Sequence, residues 1–360
     1  MTNQRQFILH IGQTKTGTTS IQDFLDKNQK NLEKSKIYYA QRPGRSLSHR
    51  YLFHLLCASI SKLEGSEFHH HHTKILKTLF EGSNLTSLEQ YWGYFSDSLF
   101  RNECIISIIS EELLWELGKF NVEREYKLDM IKILADALHQ FVNPQQITII
   151  VALRHHAEWL ESWHNQMVKD QGNQTNIKPF FQRELSRGAF DYAKNLNDWL
   201  QIFPKANFKV LDFKKSLVTS RPIGITFLQE AGLLNCLTLD SFVNFIYPAP
   251  LQESIHPLLH AFIIRNKPTF DSLHDYKKKL RTANKMVGLL VQLNDLDRSY
   301  TLINSSILQI CSEIHASDPL ETFGIQELRS SLATKVQVPK ILPKTITEAL
   351  ADVFRESSGR

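Results

Sequence analysis

Four stretches of the chain carry the hydrophobic pattern of buried strands: FILHI at residues 7–11, IISII at 105–109, ITIIVAL at 147–153 and NFKVLDF at 207–213. Apolar runs of this length, with little alternation, suit strands covered on both faces, as in a parallel sheet. Between them the period changes to that of helices. Ile21, Phe24, Leu25 and Leu32 share a face through about Lys34, residues 76–99 read as one or two helices, and 129–141 end at Asn143 and Pro144. Further helices are expected at 157–169, 190–203 and 223–231. Strands alternating with helices predict an α/β fold, a parallel sheet flanked by helices on both faces. Residues 1–240 are expected to form this α/β domain. Pro248, Pro250 and Pro257 then punctuate a linker-like stretch, and residues 241–360 are expected to be a mainly helical C-terminal extension packing on it.

Composition narrows the function classes. A chain of 360 residues with 42% hydrophobic and 22% charged residues can bury a full core. The net charge of +5 fits an anionic small-molecule ligand and is too small to argue for nucleic acid. No window approaches the roughly 18 to 20 apolar residues of a spanning helix. The opening MTNQRQ runs into the first strand without room for a signal segment, so a cytoplasmic protein with no transmembrane segment is expected. Cys57, Cys104, Cys236 and Cys311 lack C-x-x-C spacing and read as reduced thiols. The run His69, His70, His71, His72 has no cysteine pair and no carboxylate at ligand spacing beyond Glu67; it reads as a solvated loop or helix start, and no metal site is expected.

Chemistry gathers where the strands end. After the first strand, Gly12 opens a turn containing Lys15, Thr16, Gly17, Thr18, Thr19 and Ser20, and a helix follows. Backbone N–H groups in such a loop and the positive end of its helix make an anion site, to which Lys15 adds an ammonium and the hydroxyls add donors. A Walker A loop would place its lysine directly after the second glycine. Here Thr18 holds that position and Lys15 lies two residues before Gly17. Ser110, Glu111 and Glu112 close the second strand, either as a cap and acidic first turn of the next helix or as a catalytic carboxylate. Arg154 closes ITIIVAL, with Ser162 eight residues on in the second turn of a helix. Arg42, Arg45, His49 and Arg50 form the most basic loop nearby. Parallel strands would bring Lys15, Glu111 and Arg154 to one edge of the sheet.

The order K-T-G-T-T resembles the 5'-phosphosulfate loop of sulfotransferases that use 3'-phosphoadenosine 5'-phosphosulfate (PAPS), P-K-S/T-G-T-T/S, with Thr14 in place of the proline. Arg154 and Ser162 resemble the R-x7-S pair that holds the 3'-phosphate in that family, and Ser110–Glu111 resembles its strand-ending serine and glutamate. The resemblance covers residues 7 to about 234. It departs at Asp212, where a tyrosine–glutamate pair is usual, and no copy of the late basic loop stands in the carboxyl third, where Lys277, Lys278, Lys279 and Arg281 are the nearest candidates. It implies a P-loop NTPase-like sulfotransferase fold and transfer of a sulfuryl group from PAPS, without a metal, to a hydroxyl or amine of a carbohydrate, lipid-linked glycan or small metabolite. The product would be 3',5'-adenosine bisphosphate. Lys15 and Glu111 would be catalytic; Lys15, Thr16, Gly17, Thr18, Thr19, Ser20, Arg154 and Ser162 would bind the cofactor; His49 would touch the acceptor. An ATP-dependent P-loop kinase and a non-catalytic anion-binding module stay open beside it, as do Glu112 and His49 for the base.

Overall fold

The apolar strands read from the sequence lie side by side in a computed structural model, which describes residues 5–44, 46–101, 103–118, 121–213, 222–247, 255–268, 270, 272–293, 300–318, 320, 335–339, 342 and 344–355. In chain order the elements begin with β1 (Gln6–Gly12), α1 (Thr18–Lys27), α2 (Gln29–Lys34), β2 (Ile37–Tyr39), α3 (Arg50–Ala58), α4 (Glu67–Leu79) and α5 (Leu88–Leu99). They continue with β3 (Ile106–Ser110), α6 (Asn121–His139), β4 (Ile147–Leu153), α7 (His156–Gln171), α8 (Ile177–Ser186), α9 (Tyr192–Ile202) and β5 (Asn207–Asp212). After these come α10 (Ile223–Glu230), α11 (Leu239–Val243), α12 (Pro257–Asn266), α13 (Leu273–Leu293), β6 (Tyr300–Thr301), α14 (Ser305–Ser317), β7 (Val336–Gln337) and α15 (Lys344–Arg355).

Strands β1 to β5 form one sheet in the order β2-β3-β1-β4-β5, every neighbouring pair parallel. The fold is therefore α/β, with helices on both faces of the sheet. Residues of β1 alternate between two cores. Phe7, Leu9 and Ile11 face one that includes Ile149, Val151 and residues of α3, α5, α6 and α9, while Ile8 faces Ile108 and Ile150 with Phe24 of α1 and Phe227 of α10. Burying an aliphatic or aromatic side chain on either face contributes about 1.5 to 3 kcal/mol, so β1, covered on both sides, anchors the sheet. The register pairs His10 with Ser110, Gly12 with Ala152 and Leu153 with Asp212, which sets the carboxyl ends of these strands along one edge. Strand β2 has no counterpart among the four expected strands. Three residues are too few for a periodic signal, yet Ile37, Tyr38 and Tyr39 are all buried at the edge of the sheet.

The chain divides into two compact units. One comprises Met1–Arg154, Asp191–Leu251 and Pro319–Leu328 and holds the five-stranded sheet. The other comprises His155–Phe190, Gln252–Asp318 and Arg329–Arg360. Residues 155–190 therefore group with the later helices, because Trp159, Leu160 and Phe180 share a core with Ile303, Ile307 and Cys311. In the same unit Val168 packs with α12, α13 and α15, and β6 pairs with β7 in parallel. Among the described residues no helix is long and apolar enough to cross a membrane. Arg45, the Lys214 and Lys215 segment, Pro248 and Pro250 lie outside the described residues.

Candidate functional site

The loop between β1 and α1 takes its shape from two residues with positive φ. Gly17 caps α1 at φ 81°, and a Cβ there would come within 2.4 Å of Ile223 Cδ1 and 2.6 Å of Phe213 Cε2, so the position requires glycine. Lys15 has φ 70° without that excuse. A left-handed conformation costs a residue with a Cβ about 1 to 2 kcal/mol, and strain of this kind concentrates at ligand sites. Thr16 Oγ1 donates to Gln13 O at 2.5 Å and Gln13 N to Ala152 O at 3.0 Å, which close the turn onto β4. No side chain caps the backbone N–H groups of α1 and no acidic residue of its own stands in its first turn. Thr19 and Ser20, in that first turn, are half-buried.

Two carboxylates brace the loop from the segment after β3. Thr14 donates from its N–H (3.3 Å) and its hydroxyl (3.2 Å) to Glu116 Oε1, and the Thr18 hydroxyl donates to Glu112 Oε2. Neither glutamate is legible as a loop partner in the sequence, which lies about a hundred residues away.

Glu111 sits at the head of that segment. Its N–H donates to His10 O at 2.9 Å, and its Oε1 accepts from the Leu113 N–H at 3.0 Å, capping the short helical turn Glu112–Leu114 in the place expected of Ser110. The side chain is buried, with the Ser48 hydroxyl beside its carboxyl. Burial first, and the neighbouring Glu112 charge second, push this carboxyl up to about 8 against the pull of the Leu113 N–H. Ser110 instead binds inward. Its Oγ lies 2.7 Å from His10 Nδ1 and accepts from Gln22 Nε2 at 3.3 Å.

His49 is fully buried. Its Nδ1 accepts from the Ser110 N–H at 3.2 Å, and its Nε2 donates to Ala40 O at 3.0 Å. Both ring nitrogens thus tie the chain after β2 to the end of β3. Burial, reinforced by the charge of Arg42, holds this imidazole down at about 3.

Arg154 leaves β4 beside the loop. Its Nη1 lies 3.5 Å from Lys15 O, and its guanidinium stands over the Phe213 ring, 5.2 Å from the centroid. The Tyr192 hydroxyl lies 2.8 Å from Gln13 Oε1 and 3.0 Å from Arg154 O, so it joins both sides of the loop. Tyr192 and Gln13 carry no sequence signal of this role. Ser162 is half-buried in the second turn of α7, in the unit that begins at His155. Lys15, Thr18, Glu111 and Arg154 therefore come together in the unit that holds the sheet.

The histidine run starts helix α4. His72 is buried, with its Nδ1 2.8 Å from His54 Nδ1 of α3. No group of three or more His, Cys, Asp or Glu residues is arranged to hold a metal ion among the described residues.

No protein-family model matches the chain. Over 94 residues, 26% of its length, it is 32% identical to an uncharacterized protein of Archaeoglobus fulgidus, and it spans about a quarter (24%) of that protein. Among solved structures, a crystal structure of a sulfotransferase from Alicyclobacillus acidocaldarius is similar with a TM-score of 0.39 and 14% identity, over 73% of this chain and 92% of that one.

Proposed function

We propose that the chain transfers a sulfuryl group from PAPS to a hydroxyl or amine of a carbohydrate, lipid-linked glycan or small metabolite. The observation that carries the reading is the approach of the Arg154 guanidinium to the backbone oxygen of Lys15, which brings the carboxyl end of β4 to the loop that leads into α1. The donor set suits an anion: backbone N–H groups, the hydroxyls of Thr19 and Ser20, and the Lys15 ammonium, while the Thr16 and Thr18 hydroxyls would have to turn from Gln13 O and Glu112 to join them. Those residues and Gly17 would hold the 5'-phosphosulfate. Arg154 would hold the 3'-phosphate, an arginine fork gripping it in two places. Bound PAPS supplies a sulfuryl group already joined to a phosphate leaving group. Glu111 would take the acceptor's proton, and a carboxyl held near 8 is well matched to that task near neutral pH. Lys15 would stabilise the charge that grows on the departing 5'-phosphate, electrostatic help whose removal costs roughly 2.7 to 4 kcal/mol in comparable sites.

One contact favours a second reading. The Thr18 hydroxyl bound to Glu112 joins a loop hydroxyl to a carboxylate after a neighbouring strand, as the Mg²⁺ site of P-loop NTPases does, although Thr18 stands at the Walker lysine position and not at that of the metal-binding hydroxyl. The two readings separate on ligand-induced stabilisation, which grows with ligand concentration over its dissociation constant. The purified chain is melted with 3',5'-adenosine bisphosphate and with ATP plus Mg²⁺. The sulfotransferase reading expects the larger rise in melting temperature with the bisphosphate, followed by transfer of label from PAPS to members of an acceptor panel. A larger rise with ATP and Mg²⁺ gives the site to a kinase, and bisphosphate binding without any transfer leaves an anion-binding module.

A further inference from the structure

The unit that begins at His155 contains a cavity of about 450 Å³ lined by Gln174, Thr175, Asn176, Pro179 and Lys267. That volume suits one sugar ring with a substituent, at the small end of ligand pockets. It is an open depression, with Thr175, Asn176, Pro179 and Lys267 exposed, flanked on two sides by the turn that leads from α7 into α8 and by Lys267 just past α12. Each side is fixed from within. Gln174 Nε2 donates across to Pro268 O at 2.9 Å, and His164 Nε2 donates to Thr175 O at 2.7 Å. The His164 ring stacks on that of His260, with centroids 4.7 Å apart, and so couples α7 to α12.

The lining has a definite chemistry. Two side-chain amides and a hydroxyl both donate and accept hydrogen bonds, as sugar hydroxyls do. Pro179 offers the small apolar face that a pyranose ring needs, and among the described residues no aromatic side chain lines the cavity to stack a base. Lys267 is the only cation of the lining, and no carboxylate pairs with it among the described residues. His164 and His260 behind the wall do not compete with it, since burial keeps both imidazoles neutral. Lys267 also stands at φ 42°, a helix-ending position where glycine or asparagine costs less.

We infer that this cavity binds a monosaccharide-sized sugar bearing an anionic group, with Lys267 on the anion and Gln174, Thr175 and Asn176 on the hydroxyls. The inference does not depend on turnover at the β1–α1 loop.

The test uses the full chain and calorimetry with the 6-sulfates of glucose, galactose and N-acetylglucosamine, with glucuronate, with the neutral parent sugars and with inorganic sulfate. At least one acidic sugar is expected to bind tenfold or more tightly than both its neutral parent and inorganic sulfate. Lys267→Gly should bring that affinity down to the level of the neutral sugar while its melting temperature holds or rises, because the strain at this position is relieved. Lys267→Asn, which tolerates the same φ, serves as a second uncharged variant. Affinity for 3',5'-adenosine bisphosphate should not change in either, so loss of the nucleotide reading would be seen separately. Equal binding of acidic and neutral sugars, binding of inorganic sulfate as tight as that of any sugar, or acidic-sugar binding unchanged in both variants overturns the inference.

Discussion

The guanidinium of Arg154 lies 3.5 Å from the carbonyl oxygen of Lys15, so the end of β4 and the β1–α1 loop meet although 139 residues separate them. If this rim grips a doubly phosphorylated adenosine, Arg154→Ala removes charge-assisted hydrogen bonds of about 1.5 to 3 kcal/mol. Affinity for 3',5'-adenosine bisphosphate should fall by about tenfold to a hundredfold, and affinity for adenosine 5'-phosphate far less. Calorimetry with the two nucleotides checks this. Equal losses for both would take the 3'-phosphate away from Arg154.

Glu111 makes stability and activity run in opposite directions with pH. Its folded carboxyl is raised to about 8 from an ordinary value near 4.5. The unfolded chain therefore releases this proton first, and the folded state loses stability as pH rises between those two values. Glu111→Gln should flatten that part of the stability profile in denaturant melts at pH 5, 6, 7 and 8. Sulfuryl transfer should rise through the same range in the native chain as the base ionises, and collapse in the variant while bisphosphate binding persists. Undiminished turnover in the variant would move the base to Glu112.

Lys15→Gly should separate folding from binding. Relief of a left-handed lysine is worth about 1 kcal/mol, read as a higher midpoint in urea. Loss of the ammonium should weaken bisphosphate binding by tenfold or more. A variant that is both less stable and equally tight would mean that Lys15 serves the fold and not the ligand.

The imidazoles of His54 and His72 share one proton between Nδ1 atoms 2.8 Å apart. Burial first, and then a neighbouring histidine (His72 beside His54, His71 beside His72), depress them to about 3 and about 4. A base whose folded value is lowered adds stability above its unfolded value near 6.5, and that stability drains away as pH falls toward 4. Hydrogen exchange in α3 and α4 should speed up over this window before the central sheet opens. His72→Leu should reduce the effect, and exchange independent of pH after correction for the intrinsic rate would contradict it.

Much of this architecture is legible in the linear pattern. ITIIVAL appears as β4 with the expected ends, because a strand buried on both faces leaves an uninterrupted apolar run. The β1–α1 turn is equally plain, since glycine, lysine and hydroxyl positions there follow from local backbone chemistry. What the pattern hides is set by distant partners. Glu112 reads as part of a helix's acidic first turn and emerges as a clasp on Thr18, and Glu116, which carries no signal of its own, clasps Thr14. His49 reads as part of a basic loop that would touch the acceptor, and is enclosed because backbone groups of Ala40, just after β2, and Ser110, at the end of β3, satisfy both its nitrogens. The edge strand β2 depends for its existence on the carbonyls and N–H groups of β3, which no local propensity encodes.

The bracing of Thr14 and Thr18 by two glutamates bears on how fast a ligand is captured. A loop already fastened at both ends gives up little further freedom on binding. Nucleotide association should therefore follow a single bimolecular phase at the rate of encounter, falling with added salt as steering by Lys15 and Arg154 is screened. No slower unimolecular rearrangement should trail it in stopped-flow traces.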